Sequence, residues 1–175
     1  MKVIAVVGVS GVGKTTFIKK ASNQFAFQHL SAGSLISLEK NRRKEYVNRD
    51  GLRLEDILDN QELLIEGFHR VSDKTASLII LDGHTVIDTP QGLEPIPCAV
   101  FAKLKIDGIV FLKGDPSVIL RQRSEDKNRN RPNLTVAQIA EQQERSLSIT
   151  RDICNELSVP CEVVEAGRTP QLFSI

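Results

Sequence analysis

The chain has 175 residues, 41% apolar and 26% charged, with a net charge of +1. That length suits one domain with a real core, and the composition is that of an average soluble globular protein. A near-neutral balance supplies no global field for nucleic acid or an anionic membrane, so any such contact would have to come from a local patch.

Val3 to Val7 is an unbroken, β-branched-rich run, the pattern of a strand buried on both faces of a parallel sheet. The apolar stretch is too short for a signal peptide and leads straight into glycines; nothing in the chain could span a membrane, which predicts a cytoplasmic protein. After the glycines a helix is expected to start near Lys14. A weaker strand pattern lies around Phe25 to Leu30. Leu54, Ile57, Leu58, Leu64, Ile65, Phe68 and Val71 then hold one helical face. Strand patterns follow at Ser77 to Leu81 and Gly108 to Leu112. Gly83 to Pro97, which contains Pro90, Gly92 and Pro95, fits neither period, nor does the polar stretch from Ser124 to Asn133. Loops this long inside a compact domain are usually functional or mobile. Thr135 reads as a helix N-cap, with Gln138 completing a capping box and Leu134 stapled to Ile139. That helix is expected to run to Leu157, with the last strand at Cys161 to Val164. Strands alternating with helices imply right-handed βαβ units and a parallel sheet covered on both faces.

Cys98, Cys154 and Cys161 are an odd number without a CxxC spacing, which argues against a disulfide framework or a zinc site. They read as small core residues in a reducing compartment.

Gly8-Val9-Ser10-Gly11-Val12-Gly13-Lys14-Thr15 fits GxxxxGK[ST] at every fixed position, behind a strand and ahead of a helix. Glycines let successive N–H groups turn inward around an anion, and the helix adds the positive end of its dipole. Gly8, Ser10, Gly11, Val12, Gly13, Lys14, Thr15 and Thr16 are therefore the candidates for binding ATP. Lys14 would reach the β- and γ-phosphates, Thr15 would ligate Mg²⁺, and Thr16 would touch the α-phosphate. Asp82, at the end of an apolar strand, is the candidate second metal ligand, although an aspartate there is also a common turn residue. Arg121, Arg123, Arg129 and Arg131 fall close together with Lys127. Guanidinium forks match the charge that phosphoryl transfer spreads over equatorial oxygens, so the cluster reads as a lid, with Arg121, Arg129 and Arg131 as its catalytic candidates. A solvated basic loop or an RNA contact would use the same residues.

On these residues the chain resembles the adenylate kinase-like P-loop kinases, most closely the archaeal-type adenylate kinases. The resemblance rests on Gly8 to Thr16, on Leu81-Asp82-Gly83-His84-Thr85-Val86-Ile87-Asp88-Thr89-Pro90-Gln91-Gly92, and on Asp115-Pro116-Ser117-Val118-Ile119-Leu120; it continues into Arg129-Asn130-Arg131. It implies a three-layer α/β sandwich around a five-stranded parallel sheet in the order 2-3-1-4-5, and phosphorylation of a nucleoside monophosphate by ATP·Mg²⁺. It also implies one P-loop kinase domain over 1–175, with acceptor-binding helices in 31–72 and a lid in 121–134. Arg49-Asp50-Gly51-Leu52-Arg53 looks like the family's segment beside the monophosphate, which makes Arg53 an acceptor-phosphate candidate. Gln61 and His84 are further acceptor candidates. Three positions depart from the family: Ser34 replaces an acid, Ser37 stands where many members carry arginine, and Asp88 stands where archaeal-type members tend to have arginine.

The expectation is an ATP-dependent kinase with a small nucleotide substrate, acting as a monomer or small homo-oligomer. One rival is a small-molecule kinase with a hydroxyl acceptor. The other is a nucleotide-switched module whose arginine cluster meets an RNA or protein partner; it ranks behind both kinase readings.

Overall fold

Val3, Ile4, Ala5, Val6 and Val7 are each at most 2% exposed, as a strand covered on both faces requires. They form the centre of the sheet. The computed structural model describes residues 1–43, 54–89, 92–125 and 134–168, with side chains of the second stretch from Asp59 onward. The elements are β1 (Lys2–Val7), α1 (Lys14–Ala21), β2 (Gln28–Ser31), α2 (Ala32–Arg42), α3 (Leu54–Val71) and β3 (Leu78–Asp82). Then come β4 (Val86–Thr89), β5 (Gly92–Pro95), α4 (Cys98–Lys103), β6 (Gly108–Lys113), α5 (Pro116–Glu125), α6 (Val136–Leu157) and β7 (Cys161–Glu165).

Five strands pair in parallel in the order β2-β3-β1-β6-β7. Counted among themselves they run 2-3-1-4-5, because β4 and β5 form a separate antiparallel pair. Alternate residues of the strands face opposite layers, as a period of two demands. Val3, Ala5 and Val7 join one apolar cluster with Leu35, Leu64, Phe68, Phe101 and Leu147. Ile4 and Val6 join another with Phe17, Ile18, Ile119 and Ile139. Each fully buried aliphatic side chain contributes about 1.5–3 kcal/mol, so the two faces of β1 anchor both helical layers.

The long helix α6 begins as its sequence foretells. Thr135 Oγ1 accepts from Gln138 N at 3.2 Å, and Gln138 Oε1 accepts from Thr135 N at 2.8 Å. Leu134 packs on the same cluster that buries Ile139. Later turns of α6 pack on the opposite cluster through Leu147, Ile153 and Cys154.

Two expectations need correction. Gly83 to Pro97 is not an irregular loop: it holds the β4–β5 hairpin, with Thr89 opposite Gly92 and Thr89 Oγ1 donating to Gly92 O at 2.9 Å. Four-residue strands are too short to display alternation, and the proline that ends β5 masks it further. The first edge strand is Gln28–Ser31, displaced towards the C-terminus from the Phe25–Leu30 pattern; Phe25 is 38% exposed.

In an open parallel sheet the ligand crevice lies beyond the carboxyl ends of the strands, where the strand order reverses. Here that point is β1, flanked by β3 and β6. The loops after β1 and β3 therefore meet at the crevice.

Candidate active site

Gly8 leaves β1 with φ +148°, and a Cβ built there would lie 2.6 Å from Leu112 O. Only glycine allows the loop this close to the end of β6. Gly11, at φ +84°, is pressed against Arg123, whose Cγ would sit 2.9 Å from an added Cβ. Gly13 is the N-cap of α1. The loop therefore ends on a helix N-terminus, whose N–H groups and dipole suit a phosphate.

Lys14 follows at once and is 8% exposed. Its ammonium donates to Gly8 O at 2.9 Å, to Val9 O at 3.3 Å and to His84 Nε2 at 3.1 Å. An ammonium has no lone pair, so His84 Nε2 accepts and the ring carries its proton on Nδ1. His84 is thus tied to the phosphate loop. The next residue is anchored on α6 by buried hydroxyls: Thr85 Oγ1 lies 2.9 Å from Thr150 Oγ1 and 3.3 Å from Ser146 Oγ. All three residues are at most 1% exposed.

Asp82 ends β3 opposite Ser31 of β2 and Val6 of β1. This register brings the carboxylate, the phosphate loop and the start of α2 to one cavity of about 560 Å³. Ser10, Gly11, Gly13, Lys14, Thr15 and Thr16 line one wall, with Asp82 and His84 beside them. Asn60, Gln61, Leu64, Ile96, Val100 and Phe101 line the far side. The hydroxyl of Thr15 and the carboxylate of Asp82 are hard oxygen donors on the same cavity as Lys14. They could hold Mg²⁺ together with phosphate oxygens. Asn60 and Gln61 are 7% and 5% exposed, and the side-chain carbonyl oxygen of each is buried without a hydrogen-bond partner. Such an oxygen costs about 1–3 kcal/mol unless a donor meets it. A ligand carrying N–H or O–H groups would meet that need.

Among the arginines, Arg121 is exposed on α5, whereas Arg123 is buried against the phosphate loop. Arg123 Nε donates to Ser10 O at 2.8 Å and Nη2 to Gln142 Oε1 at 3.3 Å. The signal was present in the spacing: Arg123 stands one helical turn after the buried Ile119, while Arg121 is off that face. Asn60 and the Thr85 cluster had no comparable motif. Arg53, Arg129 and Arg131 lie outside the described residues. Asp88 does not line the main cavity. It lies in a smaller one of about 190 Å³ with Arg123 and Gln142, and accepts a long hydrogen bond from Gln142 Nε2 at 3.5 Å. A third cavity, about 240 Å³, opens on the other side of Gly13 and Thr16, between Phe17, Asp115 and Arg168.

Among the described residues no helix is long and apolar enough to cross a membrane. A glycine loop of the P-loop pattern at the reversal of a five-stranded parallel sheet, with a carboxylate at the next strand end, is the arrangement of a P-loop nucleotide-binding fold. A family model described as an AAA domain matches residues 7–140. An adenylate kinase of Thermoplasma acidophilum is 32% identical over 169 residues, covering 93% of this chain and 90% of the relative. One from Pyrococcus horikoshii is 31% identical over 154 residues, covering 85% and 79%. Among solved structures, a gluconokinase from Sinorhizobium meliloti 1021 superposes with a TM-score of 0.51 at 15% identity, over 95% of this chain and 83% of that one, a likeness of fold alone. The chain belongs to the adenylate kinase family of P-loop kinases, and it is an ATP-dependent phosphotransferase. Kinases of this kind use ATP, normally with Mg²⁺.

Proposed function

We propose that the protein transfers the γ-phosphoryl of ATP directly to a nucleoside monophosphate, with AMP the first acceptor to test. The observation that carries this reading is the continuity of the main cavity from Lys14 to the buried amides of Asn60 and Gln61. A purine with an exocyclic amine would supply the donors that their carbonyl oxygens lack. The adenylate kinases of Thermoplasma acidophilum and Pyrococcus horikoshii support the same choice.

In this reading the loop from Gly8 to Thr16 grips the donor phosphates, and Lys14 exchanges its carbonyl contacts for phosphate oxygens. Mg²⁺, held by Thr15 and Asp82, would neutralise phosphate charge. Arg123, already fixed on Ser10 O, would stabilise the charge spread during transfer, joined by Arg129 and Arg131 of the lid, while the exposed Arg121 at its edge would add little. Arg53 would hold the acceptor phosphate. His84, accepting from Lys14, would stand between donor and acceptor. Positioning and charge do the work, with no covalent enzyme intermediate.

One observation favours a second reading, a hydroxyl acceptor. Among the described residues lining the main cavity, Lys14 is the one lysine or arginine, and the far wall is largely apolar. Steady-state kinetics on Gln61→Ala separates the two. The monophosphate reading predicts a rise of about tenfold in the KM for AMP with the KM for ATP unchanged. Equal effects on both substrates would remove Gln61 from the acceptor site, and no diphosphate product from any monophosphate would leave the hydroxyl acceptor.

A further inference from the structure

Cys98, Cys154 and Cys161 are scattered in sequence but share one apolar cluster. Cys154 is 3% exposed within it, and Cys98 and Cys161 are half-buried against it. The fold makes two of them neighbours. Cys154 sits in the last turns of α6, and Ser158 then reverses the chain in the left-handed conformation at φ 56°. Val159 N closes the turn on Cys154 O at 3.0 Å, and the Cys154 thiol lies 3.9 Å from Pro160 O. Cys161 then opens β7, locked opposite Ile109. This tight return sets Cys161 directly after the carbonyl that the Cys154 thiol meets, so the two cysteines are neighbours in one apolar cluster.

The three thiols differ in character. The hydrogen bond from Cys154 draws the Cys161 thiol down to about 7, against the cost of its own partial burial, and the Arg151 guanidinium assists. The bond with Cys161, then burial, pushes the Cys154 thiol up. Burial and a hydrogen bond to Glu156 also push Cys98 up. The cluster thus sets one half-buried cysteine, drawn toward the thiolate, beside a buried neighbour held as a thiol. That is the arrangement of an attacking and a resolving cysteine.

We propose that Cys161 and Cys154 form a peroxide-oxidisable pair, a modification site that closes to an intramolecular disulfide. The Cys161 thiolate attacks hydrogen peroxide and breaks its O–O bond. Cys161 becomes the sulfenic acid, and the departing hydroxide takes a proton to become water. Cys154 then attacks the Cys161 sulfur, loses its proton, and displaces a second water as the S–S bond forms. Two thiols lose two electrons to one peroxide, and a dithiol reductant reverses the change. Cys98, held as a thiol by Glu156, stays outside the pair.

The test treats the full-length protein with hydrogen peroxide at neutral pH, blocks remaining thiols, and maps peptides without reduction. Wild type is expected to lose two hydrogens, to yield a peptide linking Cys154 to Cys161, and to keep Cys98 free. Cys161→Ser should slow thiol loss by about tenfold or more. Cys154→Ala should let Cys161 advance to the sulfinic acid. Wild-type mapping alone keeps the proposal falsifiable if the buried Cys154 variant fails to fold. Sulfinic acid at Cys161 beside an intact Cys154, a bond to Cys98, no oxidation, or equally fast thiol loss in Cys161→Ser would each overturn it. None of these outcomes depends on which acceptor the kinase uses.

Discussion

The wall of the main cavity that carries the phosphate loop is one short segment under heavy backbone constraint, with Gly8 against Leu112 O and Gly11 against Arg123. The opposite wall is assembled from the start of α2, the middle of α3, Ile96 after the hairpin, and α4. A contiguous segment whose chemistry depends on backbone N–H groups writes itself into the sequence as a motif. A wall collected from distant elements leaves only scattered residues, and its character emerges from packing. Donor chemistry is accordingly explicit here, and acceptor chemistry has to be inferred from the buried amides.

The comparison can be broken at the arginines first. Arg123→Ala is expected to lower kcat by about 100-fold, because the guanidinium rests on the phosphate loop, whereas Arg121→Ala should stay within about threefold. Stopped-assay kinetics on both variants, with thermal melts as a control for folding, decides between them. Equal losses would mean that the buried arginine has no privileged role.

A smaller effect sharpens the boundary between the two walls. Asp88 shares its cavity with Arg123 and Gln142 and not with Asn60 and Gln61. Asp88→Asn should therefore leave the KM for a monophosphate within about twofold and lower kcat about threefold, less than one 1.4 kcal/mol decade. A severalfold fall in the monophosphate KM would instead show that the carboxylate repels the acceptor. The smallest expected change lies outside the cavity. Thr135→Ala removes half of the α6 capping box and should cost about 1 kcal/mol, seen as a drop of about 2–4 °C in Tm with unchanged KM values.

How much of this was legible beforehand follows from the same physics. Buried strands announced themselves as apolar runs, and Thr135 with Gln138 marked the start of α6 to the residue. The β4–β5 hairpin stayed hidden because its strands are four residues long and the second ends on Pro95. Arg123 was visible as part of a cluster, but burial by a helical turn with Ile119 singles it out. The closeness of Cys154 and Cys161 had no sequence signature, since the reversal at Ser158 creates it.

The most direct measurement follows labelled phosphorus from γ-labelled ATP, with Mg²⁺ and each nucleoside monophosphate in turn, in wild type and Lys14→Ala. The account predicts label in the matching diphosphate for one monophosphate. It also predicts a loss of about 1000-fold or more in Lys14→Ala, with an unchanged circular dichroism spectrum. Label released only as inorganic phosphate, at a rate indifferent to every monophosphate and to Lys14, would contradict it.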